Sequence, residues 1–478
     1  MWNFIYKASQ RYENKIICDV TTNTKYTYKE FFDKAIFLGN MLQTKIPSKV
    51  RCGVYCQNNL NMAIAIMACW KADIIPVPIA TEYGQLKRDK IIAKLELSLV
   101  LTDYEITDLE NRLIVVNVNA EHINLNKVFN DDDKIFEDVA LVMCTSGTTG
   151  DPKGVMLSYK AVIKNVDGIL AYFDIRQQDT IFIIRTLFHA AVLVGEFLVS
   201  LIKGLNILFF SEGYNPMKIK FYTQKYGVSV MCGTPTLFFH IAMLYKRKEE
   251  LSNLRLISLS GECLKKSVAE IIRKIFSKAE IYNVYGLTEN SPRVSYLEPR
   301  LFDKKIGSVG KGLIGTKIYI IDDEGKVLNP NERGQIVIKS ESIMAGYYKD
   351  ISETNKRINQ GVLRTGDWGY LDENGDLYVL GRMDGMIIKA GMNIYPKEIE
   401  EIIEELPLTK ECVAYGRKTN TTELICINIV LNQEYNHYSQ KELFKEFSKV
   451  LPQYMMPEKI EICKELKRGE SGKVIRQE

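Results

Sequence analysis

Histidine is scarce: four residues in 478, none spaced as a pair of metal ligands, so a histidine-based metal centre is not expected. The ten cysteines are scattered, and the closest pair, Cys52 and Cys56, stands in an apolar, strand-like stretch without a histidine partner. That spacing excludes a zinc site and points to reduced thiols in a core. No run approaches the roughly 18 to 20 uninterrupted apolar residues of a membrane span. The opening MWNFIYKASQRYENK has no secretory apolar region either, so a cytoplasmic protein is expected. Basic tracts are missing: 63 Lys and Arg stand against 59 Asp and Glu, a net charge of +4 without clustering, so nucleic acid is not an expected partner. Internal repeats and low-complexity linkers are absent as well.

What is present reads as a globular enzyme of more than one domain. Apolar residues make up 46% and charged residues 26%, and 478 residues exceed one ordinary core. Short β-branched or aromatic runs (Cys52 to Tyr55, Ile74 to Pro78, Leu99 to Thr102, Thr180 to Ile184, Leu205 to Phe210, Val228 to Met231, Leu256 to Leu259) alternate with helical stretches such as Asn61 to Lys71 and Lys265 to Phe276. This alternation predicts an α/β fold with parallel-rich sheets and helical layers. After Gly307 the pattern turns to hairpins, KIYIIDDEGKVL and GYLDENGDLYVLG, which predict a β-rich subdomain ending near Gly381. The remainder has its own strands and helices. The expected division is a large N-terminal domain over 1–382 and a small mobile α+β domain over 383–478.

The run LVMCTSGTTGDPKGV, Leu141 to Val155, carries the strongest chemical signal. An apolar strand feeds a loop of Thr and Ser hydroxyls, glycines and one lysine, all of which favour anionic oxygens. It is not a Walker A loop, which would need Gly at Pro152 and Ser or Thr at Gly154. Three further constellations follow. NVYGLTEN, Asn283 to Asn290, offers the ring of Tyr285 for stacking a base, the hydroxyl of Thr288, and Glu289 as a hard oxygen ligand suited to Mg²⁺ beside phosphates. LRTGDWGYLDENGDLYVLGR sets Asp367 after a turn and Arg382 at a hairpin end, a carboxylate for a ribose diol and a guanidinium for a phosphate or ribose oxygen. At the end of the chain, Gly469, Ser471 and Gly472 flank Lys473. Each alone is more often a turn or a solvated charge.

In order and spacing, these motifs resemble the adenylate-forming superfamily of acyl- and aryl-CoA synthetases, nonribosomal peptide synthetase adenylation domains and luciferase. The resemblance spans TSGTTGDPKG, SGECL at Ser260 to Leu264, YGLTE, GQIVIKSESIMAGYY at Gly334 to Tyr348, RTGDWGYLDENGDLYVLGRMD, IIKAGMNIYPKEIEE at Ile387 to Glu401, and ESGKVIR. It implies ATP as substrate, with Mg²⁺. Thr145, Ser146, Gly147, Thr148, Thr149 and Lys153 match the phosphate loop, and Gly261, Glu262, Asn283 and Tyr285 match the adenine site. Thr288 matches a contact to the α-phosphate or to the acid, Glu289 the magnesium ligand, Asp367 and Arg382 the ribose contacts, and Lys473 the lysine between the reacting carboxylate and the α-phosphate. Asp384 matches the hinge about which the C-terminal domain rotates. Lys389 and Gly391 match the hairpin that then replaces Lys473. The family often has a second acid after the hinge; here it is Gly385.

RTLFHAAVLVGEFLVSLIKG, Arg185 to Gly204, bears on the acid. Where amino-acid-activating members carry Phe-Asp, this chain has Phe188-His189, and a buried ammonium without a counter-ion is costly. An aryl or acyl acid without an α-amino group is therefore expected, in a pocket of His189, Val192, Glu196, Cys232, Thr234 and Leu287. Glu196, seven residues after His189, is expected on its helix face, either paired at the pocket's edge or receiving a polar or cationic group of the substrate. The chain stops five residues past Lys473, so no fused carrier is expected and free CoA is the favoured thiol. The alternatives are a stand-alone enzyme loading the phosphopantetheine of a separate acyl or peptidyl carrier protein, and a catalytically degenerate nucleotide-binding protein.

Overall fold

Strands apolar on both faces, separated by helix-length segments, can pair only in parallel with helices covering them. In the computed structural model six such strands lie side by side: Ile16–Asp19, Asn206–Phe209, Thr180–Ile183, Val230–Gly233, Leu256–Leu259 and Glu280–Gly286. The structure describes residues 1–478 except 82–84, 111–112, 123–137, 147–151, 246–252, 386, 390–391, 395, 419–422, 469–473 and 477–478, and the side chains of Glu110, Ser146, Asp384, Ile388, Lys389, Met392, Asn393 and Lys418.

The expected β-rich subdomain is not a separate sheet. Beyond Glu280–Gly286 the same sheet continues antiparallel through Arg293–Leu297, Ser308–Gly312, Leu377–Arg382, Val362–Leu371, Gly334–Lys339 and Lys317–Ile321. The hairpin read from KIYIIDDEGKVL forms only in part. Its return arm makes the single bridge Ile321–Val327, and Lys317–Ile321 pairs instead with Gly334–Lys339. Pro330 follows two residues after Leu328 and has no N–H to donate, so that arm does not extend the ladder. The hairpin in GYLDENGDLYVLG forms as read, with Asp372 accepting from the N–H groups of Asn374 and Asp376, both at 2.9 Å.

A second, four-stranded parallel sheet runs Ile75–Pro78, Arg51–Tyr55, Leu99–Thr102, Ile114–Asn117. Asn58 starts the helix Asn59–Lys71 by accepting from Leu60 N at 2.7 Å. The helix is apolar almost all round, and it shares one core with strand residues of both sheets. Each of its fully buried Ile or Met side chains contributes about 1.5–3 kcal/mol. Its Trp70 Nε1 donates to Ala140 O at 2.7 Å, which ties this core to the strand Val139–Ser146.

Towards the C-terminus, Pro396–Glu404 and Gln440–Val450 are helices, and Thr409–Lys418, Glu423–Leu431 and Lys459–Ile462 form a sheet. Residues from Ile387 to Ile460 close an apolar core of their own, an α+β arrangement. The ten cysteines are free, seven of them buried. Among the described residues no helix is long and apolar enough to cross a membrane.

One buried side chain fixes the turn after Glu280–Gly286. Asn165, on the helix Tyr159–Tyr172, donates to Asn290 O at 2.9 Å and Arg293 O at 2.8 Å and accepts from Arg293 N at 3.0 Å. Asn165→Ala leaves Asn290 O and Arg293 N without this partner in a dry interior, while Arg293 O keeps Asn290 Nδ2 at 2.8 Å. The substitution should lower stability by about 3 kcal/mol in urea unfolding.

Candidate active site

Val139–Ser146 and Pro152–Ser158 form an antiparallel hairpin whose register sets Thr145 opposite Lys153. Gly147, Thr148 and Thr149, and the side chain of Ser146, lie outside the described residues. Burial pushes the Cys144 thiol up to about 12, so it stays protonated and is no nucleophile at neutral pH. Two residues not singled out from the sequence complete the hairpin's mouth. Tyr347, in the two-residue strand Gly346–Tyr347, pairs with Val155, and its ring lies 5.3 Å below the Lys153 ammonium. Glu353, in the first turn of the helix Ile351–Arg357, accepts from Lys153 Nζ at 2.7 Å, which holds its carboxyl below the usual range.

The Tyr347 hydroxyl also donates to Glu289 Oε1 at 2.8 Å. Burial and the Glu289 charge push that phenol far up, so it remains a donor. Glu289 thus faces the lysine hairpin from the short turn Thr288–Asn290, with Thr288 half-buried beside it. Among the described residues no three His, Cys, Asp or Glu side chains could cage a metal. A single hard carboxylate nevertheless fits Mg²⁺ that arrives on phosphate oxygens, since this ion keeps most of its shell from water and substrate.

Tyr285, Asp367 and Arg382 come together from three parts of the chain. The Tyr285 hydroxyl donates to Asp367 Oδ2, and Arg382 Nη1 lies 3.5 Å from Asp367 Oδ1 across a paired register. Gly366, at φ +76°, supplies a backbone irregularity within the strand Val362–Leu371 that a side chain would strain. Thr365 Oγ1 then accepts from Asp367 N at 3.0 Å. Gly261 and Glu262 follow the strand Leu256–Leu259, and Glu262 Oε2 accepts from Thr236 Oγ1 at 2.7 Å and Thr236 N at 3.2 Å. Its charge therefore sits at the N-terminus of the helix Pro235–Met243. The Asn283 amide is spent on Ser308 O at 2.7 Å, inside the sheet.

The acid-pocket residues divide. His189 is exposed and precedes the short helix Ala190–Val192, whereas Glu196 is fully buried. The seven-residue spacing does not keep them on one face, because Leu193–Leu198 is a π-helix with more residues per turn. Glu196 Oε1 pairs with Arg185 Nη2, which also donates to Ser260 Oγ at 3.2 Å. Val192 and Cys232 belong to the main core. Thr234 caps the helix Pro235–Met243, accepting from Leu237 N at 3.2 Å, and Leu287 is half-buried against the antiparallel part of the sheet.

Lys473 and Gly391, and the side chains of Asp384 and Lys389, lie outside the described residues. Their neighbours are held. Met383–Gly385 is a 3₁₀ turn directly after Leu377–Arg382, and Ile387–Lys389 pairs with Met392–Ile394. Arg468 bridges to Val474, and Arg476 Nη2 lies 2.9 Å from Glu400 Oε2. Contacts across to the preceding segment include Lys265 Nζ to Glu404 Oε1 at 2.5 Å and Lys397 Nζ to Val379 O at 3.1 Å.

Comparison with known proteins agrees with this geometry. Residues 5–348 match the AMP-binding enzyme family, and residues 398–473 match the AMP-binding enzyme C-terminal domain. The chain is 27% identical to a 2-succinylbenzoate–CoA ligase of Bacillus cytotoxicus over 96% of its own length and 94% of the relative's. It superposes on the o-succinylbenzoate CoA synthetase of Bacillus subtilis in complex with its acyl-adenylate intermediate at a TM-score of 0.85 and 26% identity, covering 99% of this chain and 97% of that one. The same synthetase with ATP and magnesium ion also gives 0.85 and 26%, over 99% and 98%. The chain belongs to the AMP-binding enzyme family, and it is an AMP-forming acid–thiol ligase.

Proposed function

We propose that the protein activates a carboxylic acid lacking an α-amino group and passes it to CoA. A carboxylate oxygen attacks the α-phosphorus of ATP, the bond to pyrophosphate breaks, and acyl-adenylate forms. The CoA thiolate then attacks the acyl carbon, and AMP leaves with the bridging oxygen. The observation that carries this reading is the convergence of Lys153 and Glu289 on Tyr347, a cation and a hard carboxylate on one phenol.

Within this reading Lys153 and Thr145 receive the β- and γ-phosphates, with Lys153 exchanging Glu353 for phosphate oxygens. Tyr285 stacks the adenine, Asp367 takes the ribose hydroxyls, and Arg382 neutralises charge beside them. Glu289, oriented by Tyr347, holds Mg²⁺, which when bound offsets phosphate charge against the incoming carboxylate. Lys473 offsets the same repulsion in the adenylation step only. We take the chain to divide at 382/383 with Asp384 as pivot, so that Lys389 replaces Lys473 for thioester formation. Glu196 is already paired with Arg185, so it does not serve as counter-ion to an α-amino group.

The direct experiment is pyrophosphate release, with hydroxylamine as trap, across 2-succinylbenzoate, benzoates, straight-chain acids and α-amino acids, followed by mass detection of the CoA thioester. An aryl or acyl acid should win, and preference for an ordinary α-amino acid would overturn the reading. Lys473→Ala should abolish pyrophosphate release while supplied acyl-adenylate still yields thioester. Asp384→Pro should show the reverse, because proline locks φ near −65°. Equal losses in both half-reactions would refute these assignments. Tyr347→Phe should raise the Mg²⁺ concentration needed for half-maximal adenylation by about tenfold.

A further inference from the structure

Between the hairpin that carries Lys153 and the strand that carries Asp367 stands a further cation, Arg357, the last residue of the helix Ile351–Arg357. Both ends of that helix are fixed. At its start, Asp350 Oδ1 accepts from Glu353 N at 3.0 Å, and Thr354 Oγ1 accepts from Tyr347 N at 2.9 Å, which pins the first turn to the strand Gly346–Tyr347. At its end, Ile358 and Asn359 pair with Leu363 and Val362 of the strand that carries Asp367. The guanidinium is therefore carried on rigid backbone between the two halves of the site.

Its surroundings reach to both halves. One turn back on the same helix face, Glu353 Oε1 lies 3.8 Å from Arg357 Nε and 2.7 Å from Lys153 Nζ, so two cations share one carboxylate oxygen. Lys356 Nζ stands 3.7 Å from the other oxygen. The hydrogen bond from Lys153, with the charges of Lys153, Arg357 and Lys356, outweighs burial and holds that carboxyl below the usual range. On the opposite side, a Cβ at residue 366 would collide with Arg357 Nη1 and lie 3.4 Å from Arg382 Nη2, so two guanidinium groups flank the glycine that precedes Asp367.

Arg357 spends little of its capacity on the protein. Its side chain is 23% exposed, and its contacts with Glu353 and with Arg364 O, the latter at 3.4 Å, are long for a group with so many N–H donors. As a stabilising helix ion pair it is poor, and a pair this wet is cheap to exchange.

We infer that Arg357 binds the pyrophosphate end of ATP together with Lys153, and that Glu353 holds the place of a phosphate oxygen until the nucleotide arrives. The inference rests on the ligase reading above for the path of the triphosphate: from a ribose on Asp367 to phosphates on Lys153, the chain passes the guanidinium that neighbours both. When the bond from the α-phosphorus to the bridging oxygen breaks, its electron pair stays on the pyrophosphate, and the Arg357 fork and Lys153 meet that charge. Release of pyrophosphate returns both cations to Glu353.

Binding of MgATP and of AMP to the whole enzyme, by titration calorimetry, separates this role from a structural one, because AMP has no pyrophosphate end. Arg357→Gln should weaken MgATP about 30-fold and change AMP affinity by less than about twofold. Arg357→Lys keeps the charge and loses the fork, and it should weaken MgATP by a smaller factor, about fivefold. Glu353→Gln removes the occupant and should tighten MgATP about threefold. Equal losses for both nucleotides, or an unchanged MgATP affinity in Arg357→Gln, overturn the inference and leave the ligase intact. So does weaker MgATP binding in Glu353→Gln. An unaltered enzyme that releases no pyrophosphate with any acid of the panel above overturns the ligase reading instead, and the titrations do not depend on that result.

Discussion

Two residues of strand, Gly346–Tyr347, hold the reactive end of this molecule together. By pairing with Val155 and Met156 they add a third strand to the phosphate hairpin, and the pairing puts one phenol where it can act twice. Its ring lies under the Lys153 ammonium, and its hydroxyl fixes Glu289. Tyr348, next in the chain, is fully buried, and its hydroxyl donates to Glu96 at 2.8 Å and accepts from Arg51 of the strand Arg51–Tyr55, so the short strand is anchored in the second sheet as well. The hairpin, the loop after the parallel sheet and the four-stranded sheet therefore meet at a single dipeptide. The proposed role of these groups, a cation and a carboxylate acting on one polyphosphate, would need that rigidity, because transition-state charge is stabilised by groups already in position.

Behind this centre, the charges obey a different logic. The proposed nucleotide chemistry uses Lys153, Glu289, Asp367 and Arg382. Glu196 and Arg293 are buried and Arg185 reaches Glu196 from a partly buried position, and such a pair with an extra cation is a poor stabilising device. The π-helical turn belongs to the same device. It turns Glu196 inward, and Gly195 leaves room for Arg293.

The C-terminal segment is held to the rest by contacts of a kind that can be exchanged. Lys265 with Glu404, and Arg333 with Glu398, are ion pairs with at least one partly exposed partner, and such pairs are worth about 1 kcal/mol or less in water. Its own interior is apolar and continuous, from Ile387 through Phe447. A body with a core of its own, tied to the rest by such pairs and by the buried Lys397–Val379 contact, would suit the rotation proposed above.

The sequence by itself determined the α/β class, the strands at Leu99–Thr102 and Leu256–Leu259, the apolar strand that enters the Thr-, Ser- and Gly-rich loop after Met143, and the motifs that place the chain in its family, whereas the return strand Pro152–Ser158 reads as loop. Those features are local: apolar period, turn chemistry and residue type at short spacing are enough to read them. The edge-to-edge joining of the β-rich stretch to the main sheet could not be read, because strand partners are chosen across the whole fold and Pro330 removes the nearest one. Tyr347 and Glu353 were likewise invisible as site residues, since each acquires its partner about 60 to 200 positions away. Glu196 shows the limit most clearly. Helical spacing put it beside His189, and only the tertiary structure, through a π turn and the approach of Arg185, decided that its charge is spent inside the protein, because a buried carboxylate goes to whichever cation the fold brings within reach.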